Sequence, residues 1–395
     1  MIKHLIKLVW NRKRANLLIG IEIFVSFLVL FAIMVLIIYC IDNYRRPLGF
    51  SYGNVWNIEI EMKREPAGQP SERAETMRQL YLSLKELNEI EAVAGAQYQP
   101  FTPGGNYGII RNQAAEIRFR NNTVTDDFDR VLGVKLERGR WFGRQDDGAD
   151  PPPVVINQKL AREVFGAEDP VGRVIESSVD NRMRVIGLVA DFRHGGEFFA
   201  PENLVFLHQN GSDPQARPER DLLIKLRPGI TRAFEERLVR RLQDVAPEWS
   251  FEVTPLTELR ESLLQQTWIP MAAACVVAIF LMIMVALGLT GVLWQNVTQR
   301  TREIGLRRAH GATVSRIYQQ VLGELLIITS FSLLAGVAVI VQFPLLDLVG
   351  GTSGQVYGWS ILISLVIIYL LTIACGLYPS WLATRVQPAT ALHYE

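Results

Sequence analysis

The chain has 395 residues, 49% of them hydrophobic, and its 41 Lys+Arg stand against 40 Asp+Glu for a formal charge of +1. So even a balance gives no sign of nucleic-acid binding, and the three cysteines, Cys40, Cys275 and Cys375, all fall in or beside apolar runs, which leaves no disulfide framework. The apolar residues are bunched into four runs nearly free of charge, a pattern that argues against a soluble enzyme with buried helices and for a membrane protein.

In chain order, residues 1–16 carry Lys3, Lys7, Arg12, Lys13 and Arg14, and the first run, 17–41, contains one charge, Glu22. About 20 helical residues cross a hydrocarbon core of roughly 30 Å, so this run spans a bilayer. It is too long for a signal-peptide core, and Tyr39-Cys40-Ile41-Asp42 offers no small-residue cleavage site, so it is expected to stay as an anchor.

Residues 42–267 form a large domain between the first and second spans. Val55-Trp56-Asn57-Ile58-Glu59-Ile60-Glu61-Met62 alternates as a strand does. Met77, Leu80, Tyr81, Leu84 and Leu87 then recur at helical spacing, and 93–98 return as a strand. The order repeats in a strand at 222–226, an amphipathic helix at 230–245 and a strand at 249–253. Two β-α-β units so far apart predict a split ferredoxin-like lobe over about 50–99 and 219–255, with a β-rich lobe of about 100–218 inserted in it. The insert's most regular pieces are a strand at 154–156, a helix at 158–165 and a strand at 184–190, separated by turn signals such as Pro151-Pro152-Pro153 and His194-Gly195-Gly196.

A stalk, 256–267, leads into the second span at 268–294. A loop of 295–320, a third span of 321–346 with Glu324 at its start, a short loop of 347–358, a fourth span of 359–384 and a tail of 385–395 complete the chain. The fold class is therefore a membrane protein, α+β, with four transmembrane helices and a large extracytoplasmic α/β domain between the first two. The cationic N-terminus and Arg300, Arg302, Arg307, Arg308 and Arg316, set against a 347–358 loop without Lys or Arg, place both termini and the 295–320 loop in the cytoplasm.

Catalytic signatures are missing from the sequence: there is no P-loop, no H-E-x-x-H helix and no G-x-S-x-G turn. The five histidines show no ligand spacing, so no metal site is expected. Asp191 and His194 resemble a base and its orienting acid, but Asp-Phe-Arg-His-Gly-Gly reads better as a turn with no nucleophile attached. Glu22 and Glu324 are expected to serve structural pairing in the membrane, through snorkelling or a nearby arginine.

The 295–320 loop contains Arg300-Thr301-Arg302-Glu303-Ile304-Gly305-Leu306-Arg307-Arg308-Ala309-His310-Gly311-Ala312-Thr313. This resembles the signature of the MacB/FtsX family of ABC transporter membrane subunits. Gly139-Arg140-Trp141-Phe142, Pro153-Val154-Val155-Ile156-Asn157 and Asp169-Pro170-Val171-Gly172 are similar to the family's periplasmic domain, and Tyr378-Pro379-Ser380-Trp381 with the Gln387–Glu395 tail is similar to its ending. The resemblance implies a non-enzymatic permease of a type VII, MacB-like transporter in the inner membrane, with its large domain periplasmic. It implies a separate P-loop ATPase that binds ATP and Mg, no cofactor in this chain, and pairing with a second copy or paralogue.

Under that resemblance the loop is a coupling helix, ended by Gly311, in which Ile304, Gly305 and Leu306 give apolar contact and Arg300, Arg302, Glu303, Arg307 and Arg308 set register on the ATPase. Read from charge alone, the arginines also suit topology and contact with membrane lipid. The family implies mechanotransmission to three competing outputs: efflux or export of a periplasmic substrate with an adaptor and outer-membrane channel, lipoprotein release, or activation of a cell-wall hydrolase. An ATP-independent receptor or scaffold is the rival of a different class.

Overall fold

The computed structural model describes residues 13–62, 70–102, 104–112, 115–179, 182–209, 220–299, 313–342 and 353–384. Its elements in chain order are α1 (Lys13–Tyr44), β1 (Val55–Met62), α2 (Pro70–Lys85), β2 (Ile90–Ala96), β3 (Asn106–Asn112), β4 (Ala115–Val124), α3 (Phe128–Leu132), β5 (Leu136–Gly139), β6 (Pro153–Asn157), α4 (Gln158–Phe165) and β7 (Val174–Ile175). There follow β8 (Met183–Val189), β9 (Leu204–His208), β10 (Asp221–Leu226), α5 (Ala233–Val245), β11 (Trp249–Pro255), α6 (Leu256–Gln299), α7 (Val314–Ile340) and α8 (Gly354–Thr384). The chain divides into two units, one of Met1–Asp42 with Trp268–Glu395 and one of Asn43–Thr267.

In the Asn43–Thr267 unit, β11, β1, β10 and β2 lie side by side in that order, every pair antiparallel. That is the order of a ferredoxin-like sheet assembled from two β-α-β units. Strand alternation explains how it packs: Trp56, Ile58 and Ile60 of β1 and Leu222, Ile224 and Leu226 of β10 turn one way, onto Leu80 and Leu84 of α2 and Phe234, Leu238 and Leu242 of α5. Phe234, Leu238 and Leu242 recur every four residues, so α5 presents a single apolar stripe.

The inserted segment, expected as a β-rich lobe, continues the same sheet. A single pair, Ala96 with Val124, joins β2 to β4, and the order runs on through β9, β6, β8 and β5, with β3 beside β4 and β7 beside β8. Two pairings there, β4 with β9 and β6 with β8, are parallel. Side chains close the thin seam. Val55, Ala94 and Leu223 of the ferredoxin-like half share a core with Phe101, Phe128, Phe192 and Phe206 of the insert. The aromatic rings meet at centroid distances from 4.6 Å for Phe50 and Phe192 to 6.3 Å for Phe128 and Phe192, in the offset and edge-on arrangements that aromatic pairs favour. The rest of the insert packs around Val154, Ile156, Leu160, Met183, Val185 and Val205.

In the other unit, four described helical segments are long and apolar enough to cross a membrane: Leu17–Tyr44, Leu256–Gly291, Leu322–Ile340 and Gly354–Leu377. The expected stalk and second span are one helix, α6, because no residue of 256–267 breaks the helical pattern. Inside the bundle Ile23 and Phe27 of α1, Leu289 of α6, Leu333 of α7 and Ile368 of α8 are buried together. Small residues set the close approaches: a Cβ on Gly336 would stand 2.5 Å from the Phe27 ring, and one on Gly376 2.6 Å from Leu322. Buried hydroxyls of Thr329, Ser332 and Ser360 donate to carbonyls four residues back in their own helices, and Ser330 meets the Tyr369 hydroxyl at 2.8 Å.

Candidate functional site

The nine residues expected to couple to an ATPase, Arg300, Arg302, Glu303, Ile304, Gly305, Leu306, Arg307, Arg308 and Gly311, lie outside the described residues. Their flanks are described: α6 extends to Gln299, and α7 begins at Val314 after Thr313 in an extended N-cap conformation. Glu22 sits on α1 with its carboxylate oxygens 2.5 and 2.6 Å from where a Cβ on Gly288 would be, so the bare backbone of α6 makes room for the acid. Glu324 is half-buried on α7.

A second candidate lies in the α/β unit, at a residue that sequence reading passed over. Arg193 is 2% exposed, and its guanidinium donates to four carbonyls: Asn43 at 2.7 Å, Arg46 at 2.9 Å, Phe199 at 2.6 and 3.1 Å, and Glu197. Asn43 lies in the last turn of α1, its carbonyl also accepting from Arg46 N at 3.1 Å, and Arg46 follows two residues past the helix; carbonyls here lack α-helical partners and carry the negative end of the macrodipole. The cation thus caps α1 and pins the 193–199 loop to it.

Several contacts reinforce this joint. Arg193 N donates to Leu48 O at 2.9 Å. Gly49, at φ +84°, brings its backbone so near that a Cβ would be 2.3 Å from Asp191 O, a place and conformation suited to glycine alone. The Tyr44 and Phe198 rings stack at 5.7 Å. The other end of the loop meets the start of α6, where Arg260 Nε donates to Glu197 Oε1 and Leu263 packs at Gly196. Seven residues, 193–199, therefore bind the end of α1 and the first turns of α6 into one construction.

The neighbouring acid and histidine do not form a catalytic pair. Asp191 Oδ1 accepts from Asn157 Nδ2 at 3.1 Å and from Lys159 N at 2.9 Å, which makes it a brace for the start of α4. Asn157 is fully buried as the N-cap of α4; its Oδ1 accepts from Leu160 N and Leu204 N, and its Nδ2 also donates to Glu202 O. His194 is 3% exposed. Burial, with the Arg120 charge nearby, lowers its pKa to about 4, against the backbone of Tyr98 and Thr102, so its ring is neutral at pH 7.

Asp221 opens β10 where the chain returns from the insert. Its carboxylate accepts from Asn57 Nδ2 at 3.0 Å and Gln99 N at 3.3 Å, and burial raises its pKa to about 7 despite those bonds. Among the described residues no group of three or more His, Cys, Asp or Glu is arranged to hold a metal ion.

Comparison with known proteins identifies both units. Residues 23–241 match the MacB-like periplasmic core domain family, and residues 275–388 match the FtsX-like permease C-terminal family. The macrolide export ATP-binding/permease protein MacB 2 of Aeromonas hydrophila is 28% identical over 79% of this chain and 50% of its own length. The ABC transporter permease YknZ of Bacillus subtilis is 26% identical over 69% of this chain and 70% of its own. The crystal structure of the periplasmic region of MacB from Actinobacillus actinomycetemcomitans aligns at TM-score 0.40 with 15% identity, covering 54% of this chain and 94% of that one. The chain spans about half the length of the MacB relatives it matches. It belongs to the MacB/FtsX family of ABC transporter permeases, as a multi-pass membrane subunit.

Proposed function

We propose that this chain is the mechanotransmitting permease subunit of a MacB-like transporter, driven by a P-loop ATPase on a partner polypeptide and moving a substrate out of the periplasm. The observation that carries this reading is the joint at Arg193 and Arg260: one loop of the α/β domain is fixed to the ends of both helices that lead to the first two spans. Force arriving along α1 or α6 has a stiff, buried path into the sheet, since residue 191 of the adjoining turn also braces α4. In the bundle, hydroxyls turned onto their own helices suit force transfer better than conduction of a polar solute.

ATP binding closes the partner ATPases, the 300–311 segment passes that movement to α6 and α7, and the termini and this segment face the cytoplasm. Two copies, or this chain and a paralogue, pair in the inner membrane. The apolar stretch of α6 is 11% buried against 33 to 39% for the other three spans, which favours α6 as the pairing helix. A periplasmic adaptor and outer-membrane channel complete the route, and macrolides, named in several relatives, are the cargo to test first.

The test is purification of the tagged full chain from its native membranes in mild detergent, with mass spectrometry of what accompanies it. A P-loop ATPase is expected, lost in Glu303→Lys/Arg307→Glu. Its absence across gentle extraction conditions would overturn this reading in favour of an ATP-independent receptor.

A further inference from the structure

A cleft of about 240 Å³ opens in the α/β domain beside the 193–199 loop, lined by Tyr107, Arg120, His194, Phe199 and Glu202. It is a built site. Arg120 is 4% exposed and held flat by three acceptors: Glu202 Oε2 takes Nε at 2.6 Å, Tyr107 Oη takes Nη2 at 2.9 Å, and Gly104 O takes Nη1. Gly105 permits this, because a Cβ there would stand 2.3 Å from Nη1. His194 lines the same space, nine-tenths and more buried; the backbone of Tyr98 and Thr102 lies near its ring, but neither Nδ1 nor Nε2 makes a hydrogen bond of good geometry among the described residues.

A buried polar atom without a partner costs free energy that a ligand's polar group can recover. The neutral imidazole offers one donor and one acceptor, and the fork of Arg120 retains N–H groups beyond its three bonds. Glu202 balances the Arg120 charge, so the cleft selects against a net charge. Tyr107 and Phe199, 41% and 43% exposed, contribute ring surface.

We propose that this cleft binds a small uncharged planar molecule carrying both a hydrogen-bond donor and an acceptor, such as an aromatic amide, with His194 and Arg120 reading its polar edge. This goes beyond the transporter reading, since it needs only the α/β domain. It also touches that reading, because His194 adjoins Arg193 in the chain and an occupant would press on the same loop.

The test uses the full chain in lipid nanodiscs, its five histidines labelled with 13C at Cε1. The His194 signal is recognised by its loss in His194→Phe and in His194→Gln. Nicotinamide should move that signal saturably, while nicotinate, the same ring with a carboxylate, should not. In His194→Phe, where binding is followed on the nicotinamide proton resonances by saturation transfer from the protein, the molecule should bind about tenfold more weakly, the value of one buried hydrogen bond. Glu202→Gln should admit nicotinate by leaving the Arg120 charge unbalanced. A His194 signal unmoved up to the solubility limit of nicotinamide, or moved equally by nicotinate, would overturn the proposal, and neither result bears on whether an ATPase co-purifies.

Discussion

Asp221 and His194 should give the α/β domain two opposed dependences on pH. The folded state raises Asp221 from 3.8 to about 7, so between those values it holds a proton that the unfolded chain releases, and stability falls as pH rises through that window. His194 is lowered from 6.5 to about 4, so the unfolded chain binds the extra proton there and stability falls as pH drops from 6.5 towards 4. At 1.36 kcal/mol per pH unit the first effect amounts to about 4 kcal/mol and the second to about 3 kcal/mol, so in the native protein they largely cancel. Variants separate them. Asp221→Asn keeps an acceptor for Asn57 and should gain stability over wild type by about 4 kcal/mol more at pH 7.5 than at pH 4. His194→Phe should gain about 3 kcal/mol on wild type in the opposite direction, from pH 7 down to pH 4. Hydrogen exchange of β2 and β10 in the full chain, corrected for intrinsic rates, reads the opening free energy. If the difference between Asp221→Asn and wild type were the same at both pH values, the carboxyl would not be held protonated by the fold and the argument would fail.

Arg193→Met should leave four carbonyls short of donors at a fully buried position, costing about 3 kcal/mol or more, and faster exchange at 43–46 and 193–199 would show it. Arg193→Lys should not restore protection, since an ammonium cannot fork between Asn43 and Phe199. Gly336→Val should collide with Phe27 and lower the thermal midpoint of the solubilised protein, whereas Gly291→Ala, with nothing within 4 Å of the added carbon, should be neutral. Asp191→Ala should loosen the start of α4 by about 1 kcal/mol, read as faster exchange at 158–161.

The four spans and the two β-α-β units were legible in the sequence because each rests on a periodicity that burial enforces locally. Trp56, Ile58 and Ile60 alternate, and Phe234, Leu238 and Leu242 recur at four-residue spacing, whatever surrounds them. The way the insert joins the sheet was not legible. It depends on the single pair of Ala96 with Val124 and on parallel pairings between strands distant in the chain, which leave no local pattern. The last residues of the third expected span, 343–346, and the loop residues expected to contact an ATPase lie outside the described residues.

Arg193 shows why the joint escaped notice. In the sequence it lies within Asp191-Phe192-Arg193-His194-Gly195-Gly196, where charge and glycine together read as a solvated turn. The signal that pointed the other way was Phe198-Phe199 immediately after it, since a turn followed by two aromatic residues has something to pack on. An arginine satisfied by carbonyls needs no acidic residue nearby in sequence, and its partners, Asn43 and Arg46, are 150 and 147 positions away. Backbone acceptors are supplied by every residue type, so such a site constrains the identity of one side chain and only the placement of the rest. It follows that Arg193 and Gly49 should each tolerate no other residue, the first for its fork of donors and the second for its close approach to Asp191. A mutational scan read by surface-accessible folded protein would show that intolerance, and a lysine accepted at position 193 would mean that charge alone, not a fork placed among carbonyls, holds the joint.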